Sequence, residues 1–520
     1  MKNVKKIVAL MLVAILVLGL AGCGKGKNKG NGAGGDNGGK RVEISYWNSG
    51  MGMDYLEALM KAFNEKQSDW YVYCNATADS NSVKATYGLE DVDTIDLYMA
   101  TKVSDITYME PLDDVLASTV KGEGKTIKEK FDASYLEYEL ASDNHYYTLT
   151  WGGGVLGFVY NQVLFEKAGV KELPRTTTEL AMVCDKLLDA GITPLTHFRT
   201  SEGTGYWSYI QELWFAQYDG WDYYKDTFYA CKDANGNSPS KDVLTAKDGR
   251  YQVLKAMEKF ITPKYIQAGA NSQTHIAAQT LFLNEDIGMM VSGSWMANEM
   301  KGTKKTDDFG VMKTPVISGI VDKLTTVKSD TELRNLISAI DAVTSGEEEI
   351  SAYQSGDGYV VNGKQVATAD WEYVATARNS CAVNYPQHSF FIPTYSDAID
   401  GAKEFLKFFY SDEGYKIFTD TLHTSLPFNF ANEELNTEKW SGFEKEMYQL
   451  TQGAVNNVNR FIMSRNDIFV NGGAHPYASY NFVEYFGSNN PSDRVSADEA
   501  WDKIIKTIDG NYNSWLLNMK

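Results

Sequence analysis

Cys23 is the residue of this sequence whose flanks prescribe a reaction. It closes Leu20-Ala21-Gly22-Cys23, at the end of an uncharged apolar run from Ile7 to Leu20 that Lys2, Lys5 and Lys6 precede. A charged start, a short apolar stretch and a small-residue end form an export signal, and the run is short for a membrane span. The other residues suited to chemistry are aromatic: Trp47 followed by Asn48, Trp151 followed by three glycines, Tyr206-Trp207, and Trp295 after Gly293-Ser294. Flat rings beside amides and hydroxyls suit a ligand with apolar C–H faces and a rim of hydroxyls.

Catalytic patterns are missing by contrast. The sequence has no Gly-x-Ser-x-Gly elbow and no Cys-His constellation. Cys74, Cys184, Cys231 and Cys381 lie far apart without Cys-x-x-Cys spacing, so zinc is not expected. In an exported chain they allow three disulfide pairings, and we read them as free, buried thiols. The six histidines are scattered, with no His-Glu-x-x-His, so no metal site and no cofactor are expected. Gly34 to Lys40 imitates part of a phosphate loop, but Arg41 stands where Ser or Thr is required; Gly124-Lys125-Thr126 fails because Thr119 replaces the first glycine. An extracellular glycoside hydrolase remains an alternative, since it needs two carboxylates roughly 5 to 10 Å apart. Among 68 acids the sequence does not exclude such a pair, although Glu90, Asp91, Asp93 and Asp96 read as a solvated loop leading into a strand. A net charge of −19 argues against nucleic acid as a partner, because phosphate binding needs a basic face.

The elements that must position these residues follow from periodicity. Gly24 to Lys40 is almost all glycine, asparagine and lysine and predicts a flexible tether. Roughly 480 residues remain beyond it, more than one core usually supports, so two lobes are expected. Val42 to Trp47 alternates as a half-buried strand, and Leu56, Leu59, Met60 and Phe63 share one face of a following helix. With strands at Tyr71 to Asn75 and Thr94 to Ala100, the rhythm predicts a mostly parallel α/β sheet whose ligands bind beyond the carboxyl ends of its strands. Trp151-Gly152-Gly153-Gly154 is a candidate crossing between lobes. Val155 to Asn161 reads as a strand, followed by helices at Gln162 to Ala168 and Thr178 to Ala190. A stretch from Ser329 to Arg378 suggests an inserted hairpin around Gly356 to Gln365.

Two resemblances sharpen this. Leu20 to Cys23 resembles the bacterial lipobox, in which the cysteine thiol receives a diacylglyceryl group and becomes the first residue after cleavage. Tyr160-Asn161-Gln162-Val163-Leu164-Phe165-Glu166-Lys167-Ala168-Gly169 with Pro174 and Thr178-Glu179-Leu180 resembles a signature of the family 1 extracellular solute-binding proteins, the carbohydrate receptors of ABC importers. Gln162, Val163 and Thr177 depart from the family's usual residues. Two more blocks are similar in the same order: Ala278-Gln279, Phe282, Gly288-Met289-Met290 and Gly293-Ser294-Trp295; then Ile392-Pro393, Ser396, Ala402 and Glu404 to Phe409.

The resemblance implies an α/β, two-lobed periplasmic-binding-protein-like fold with a ligand cleft between lobes and several hinge crossings. Residues 1–22 are then a lipoprotein signal peptide and 23–40 the tether. Residues 41–154 and about 314–390 form one lobe; about 155–313 and 391–520 form the other. The protein is expected to be a receptor rather than an enzyme, a monomer held on the extracytoplasmic face of the cell membrane by lipid on Cys23. Its expected partners are a carbohydrate, an oligosaccharide in particular, and the permease subunits of an importer; a sugar sensor of the same fold is the second alternative. Trp295 matches the family's tryptophan that stacks on a sugar ring. Trp47 and Asn48 follow the first strand, where the family places polar contacts. Trp151, Tyr206 and Trp207 sit at candidate cleft positions, whereas Trp214 and Trp221 read as core. Among Asn384, Tyr385 and His388, which precede a crossing strand, His388 is the further ligand candidate.

Overall fold

Val42, Ile44 and Tyr46 are fully buried and alternate with more exposed neighbours, the period-two pattern that builds β1 (Lys40–Trp47). The computed structural model describes residues 38–519 apart from 78, 90–93, 104, 142, 199–204, 301–307, 430–434, 436, 453, 460–465, 475–485 and 489. The signal segment, Cys23 and the tether up to residue 37 therefore lie outside the described residues. The stripe of Leu56, Leu59 and Phe63 seats the helix Asp54–Lys66 in the same core as β1. β2 (Trp70–Thr77) and β3 (Leu97–Thr101) then pair parallel with β1, Trp47 lying opposite Thr77.

The chain continues through β4 (Leu149–Thr150), β5 (Val155–Asn161), β6 (Thr193–Thr196), β7 (Ile287–Gly293) and β8 (Phe309–Met312). A small antiparallel sheet of β9 (Gln354–Ser355), β10 (Gly358–Val361) and β11 (Lys364–Ala367) follows, the hairpin suggested by sequence. The last strands are β12 (Ser380–Val383), β13 (His388–Phe391) and β14 (Asn456–Val458). One sheet has the order β2-β1-β3-β13-β4 and the other β14-β12-β5-β7-β6, with β8 also on β5. The chain passes between them from β4 to β5 through Trp151 to Gly154, and back from β12 to β13 through Asn384 to Gln387.

One expectation needs correction. The parallel character holds for β1, β2 and β3, but β13 runs antiparallel to β3 and β4, and β5 runs antiparallel to β7, β8 and β12. Parallel pairs need long crossovers on one sheet, and strands that arrive from the other sheet are free of that constraint. Leu333, Leu336 and Ile337 of the helix Asp330–Ser345, and Trp371 and Val374 of Thr368–Arg378, pack in the core of the second sheet rather than the first. Phe405 of Ile399–Phe409 packs on Phe63, and Phe418 of Asp412–Leu422 on Tyr55, both from the helix Asp54–Lys66 beside β1. An amphipathic stripe shows that a helix is buried and is silent about which sheet covers it. Among the described residues no helix is long and apolar enough to cross a membrane.

Candidate ligand cleft

Six segments remote in sequence meet in a cleft of about 390 Å3. The loop after β1 brings Trp47, Asn48, Ser49, Gly50 and Met51. The two crossings bring Gly153 and, on the return, Asn384, Gln387 and His388. Tyr206 comes from just before the helix Trp207–Asp219, and His275 opens the helix His275–Leu283. Trp295 and Glu299 follow β7, on the short helical turn Met296–Glu299.

Close backbone approach explains the glycines around Trp295. A Cβ on Gly293 would lie 2.3 Å from the indole, which packs directly onto that residue, and a Cβ on Gly154 would lie 1.8 Å from Ser294 Oγ. Gly153 has φ +104°, a region that favours glycine, and places Gly154 N to donate to Asn384 Oδ1 at 2.8 Å. The Gly-Ser-Trp and Trp-Gly-Gly-Gly motifs thus meet on neighbouring strand ends, because Gly293 is paired with Leu156.

The floor is aromatic. Trp47 stacks on His388, ring centroids 5.2 Å apart and planes within 4°, and Trp151 meets both rings edge-on from beneath. Trp151 Nε1 donates to Ala100 O at 3.3 Å. Burial pulls the His388 imidazole down to about 3, so it is neutral at physiological pH. Its ring nitrogens lie 3.5 Å from Ser49 Oγ and 3.4 Å from Asn384 Nδ2. On the opposite wall Trp295 and Tyr206 stand 5.2 Å apart at 68°, and burial holds the Tyr206 phenol above its ordinary value. Asn48 Oδ1 accepts from Gly52 N at 3.0 Å and shapes the loop beyond Trp47. Two hydrogen bonds or contacts tie the walls together: Tyr209 OH donates to Gln387 Oε1 at 2.9 Å, and Asn298 Nδ2 donates to Gly50 O.

Of the residues expected to touch ligand, the structure brings Trp47, Asn48, Tyr206, Trp295 and His388 into this lining. Trp151 is fully buried below the floor, where it props Trp47 and His388. Trp207 is buried against Phe158, Trp214 and Phe260 and does not reach the cleft, because the helix it opens turns that face inward. Sequence reasoning missed His275, Gln387 and Glu299; Glu299 lies four residues beyond Trp295, one helical turn away, and that spacing could have found it. Among the described residues Glu299 is the only carboxylate in the lining, so they assemble no pair of carboxylates of the kind a glycoside hydrolase needs. Among the described residues no group of three or more metal-ligating side chains is assembled. Cys74, Cys184, Cys231 and Cys381 are unpaired, and burial pushes their thiols up, to about 12 for Cys74 and Cys381, which leaves them protonated and inert.

Two α/β lobes facing a cleft of ring platforms and hydrogen-bonding groups define a binding protein. The chain belongs to the bacterial extracellular solute-binding protein family, whose model matches residues 89–416. It is similar to a binding protein of Brucella abortus (strain 2308), 25% identical over 206 residues that make up 40% of this chain and 44% of the relative. The chain thus spans less than half the length of the curated relatives it matches. Its fold is similar to that of the GacH receptor of Streptomyces glaucescens GLA.O, solved unliganded and in complex with acarbose, with 15% identity, a TM-score of 0.55, and coverage of 93% of this chain and 100% of that one. The cyclic α-maltosyl-1,6-maltose binding protein of Arthrobacter globiformis is also similar, with 15% identity, a TM-score of 0.55, and coverage of 91% and 99%.

Proposed function

We propose that this protein captures a carbohydrate between its lobes and delivers it to the permease subunits of an ABC importer, while lipid on Cys23 holds it on the outer face of the membrane. The cleft carries this reading: Trp47, Tyr206 and Trp295 offer rings on both walls, and Asn48, Asn384, Gln387 and Glu299 offer groups that pair with hydroxyls. Its volume of about 390 Å3 lies within the usual range for ligand sites, about 300–1,000 Å3, and rings on both walls favour an oligosaccharide over a single ring. Solved relatives of the same fold described with acarbose or a cyclic maltosyl sugar agree with it. We assign the described residues of 38–150 and 388–422 to one lobe, and those of 155–383 and 456–519 to the other, following the two sheets. A ligand touching both walls would favour the closed arrangement by its differential contacts.

A thermal-shift screen against mono- and oligosaccharides, with product analysis of each hit, tests the receptor. Stabilisation by an oligosaccharide that is recovered intact is the expected result. Release of smaller sugars, or no shift across plant and host glycans, would overturn it. For the anchor, Cys23→Ala should release a still sugar-binding protein into the medium or leave an uncleaved precursor, with uptake impaired in either case; unchanged membrane retention of a processed chain would refute lipidation at Cys23.

A further inference from the structure

Glu299 combines burial, charge and missing partners in a way no other residue of the cleft does. Its side chain is 16% exposed, and Oε2 is buried with no hydrogen-bond partner among the described residues. His275 Nε2 lies 3.5 Å from Oε1, yet it too makes no hydrogen bond. Among the described residues no Lys or Arg is in the lining. His388, the other imidazole there, is held neutral by burial. Gly50 leaves room for the carboxylate: a Cβ at that position would stand 2.5 Å from Glu299 Oε1. The carboxylate therefore projects from the turn after β7 onto the loop after β1, within the cleft lining.

A buried acceptor without a donor is costly, and a bound molecule that supplies donors removes the cost. A second negative charge in the same cleft would do the opposite. A ligand carboxylate placed within about a Debye length, roughly 8 Å, of Glu299 would meet its charge beside a partly buried side chain, where screening is weaker than in open solvent. Resting on the carbohydrate reading above, we propose that Glu299 sets the substrate class: neutral saccharides that place O–H or N–H donors on Glu299 are bound, and acidic saccharides such as uronic acids are rejected.

The test pairs maltotriose, cellotriose and mannotriose with their C6-oxidised uronate forms, measured by calorimetry on the wild type and on Glu299→Gln, which keeps the shape and removes the charge. For any neutral trimer that binds, its uronate should bind at least tenfold more weakly to the wild type, and Glu299→Gln should bring the ratio within about threefold. Equal or tighter binding of the uronate by the wild type overturns the inference and leaves the carbohydrate reading standing. So does a tenfold ratio that persists in a Glu299→Gln protein whose melting temperature without sugar is unchanged. The wild-type ratio alone decides if that variant fails to fold. Failure of every trimer, neutral and acidic, to bind counts against the carbohydrate reading itself and takes the inference with it.

Discussion

Trp295 and Trp207 both open helical segments beside an aromatic or polar neighbour, yet one lines the cleft and the other is sealed inside the second lobe. Trp207 belongs to a repeat in which Ile210 and Trp214 fall on the same helical face, and all three are buried. Trp295 belongs to no stripe. Its ring rests on Gly293, a strand end with no side chain to push it away, and its other neighbours come from segments far off in sequence. The core is therefore built by periodicity within one element, and the cleft by glycines that let several elements converge.

The strongest way to break this contrast is to truncate the core member. Trp207→Ala should lower stability by about 3–5 kcal/mol, read by urea denaturation. Trp207 Nε1 finds no hydrogen-bond partner among the described residues, so Trp207→Phe should cost under about 1.5 kcal/mol. A small loss for Trp207→Ala would mean the side chain is not a core element.

His388 extends the contrast to protonation. Its folded-state value of about 3 lies below the ordinary 6.5, so between those values the unfolded chain binds a proton the folded chain refuses. Its contribution is fully present above about pH 6.5 and is lost as pH falls toward about 3, at most about 1.4 kcal/mol per pH unit. Denaturation from pH 6.5 to 4.5 should show a loss of about 2 kcal/mol that His388→Asn abolishes; an unaltered slope in that variant would assign the acid sensitivity elsewhere.

Trp295→Ala should weaken sugar binding about thirtyfold, roughly 2 kcal/mol, while leaving the fold far less affected than Trp207→Ala does. Unchanged calorimetric affinity would remove Trp295 from the site. The smallest effect is expected for Asn48→Ala, which loses the bond to Gly52 N and should cost about 1 kcal/mol of stability. Unchanged stability of Asn48→Ala would show that the bond to Gly52 N does not hold the loop.

Local pattern made much of this legible. β1, β5 and the helices Gln162–Lys167 and Thr177–Asp189 fall within a residue or two of their sequence readings, because alternation, helical spacing and caps such as Thr176 on Glu179 N act over a few residues. The site was legible where a ring sits at a strand end, as for Trp47 and Trp295, and illegible where a residue enters by convergence, as for His275 and Gln387. Trp151 shows the boundary between the two: its glycines mark the crossing, but only packing reveals that its ring lies under the floor.

The sequence by itself determined which segments form strands and helices, which faces are buried, and that glycines must stand beside Trp295 and Trp151, since these depend on neighbours along the chain. Which sheet each helix of 330–422 covers, the antiparallel entry of β13 and β12, and the meeting of Glu299 with Gly50 were decided by tertiary structure alone. Burial of an apolar stripe has no direction and is satisfied by either core; the choice is made by the long-range pairing of strands, which no local window of residues contains.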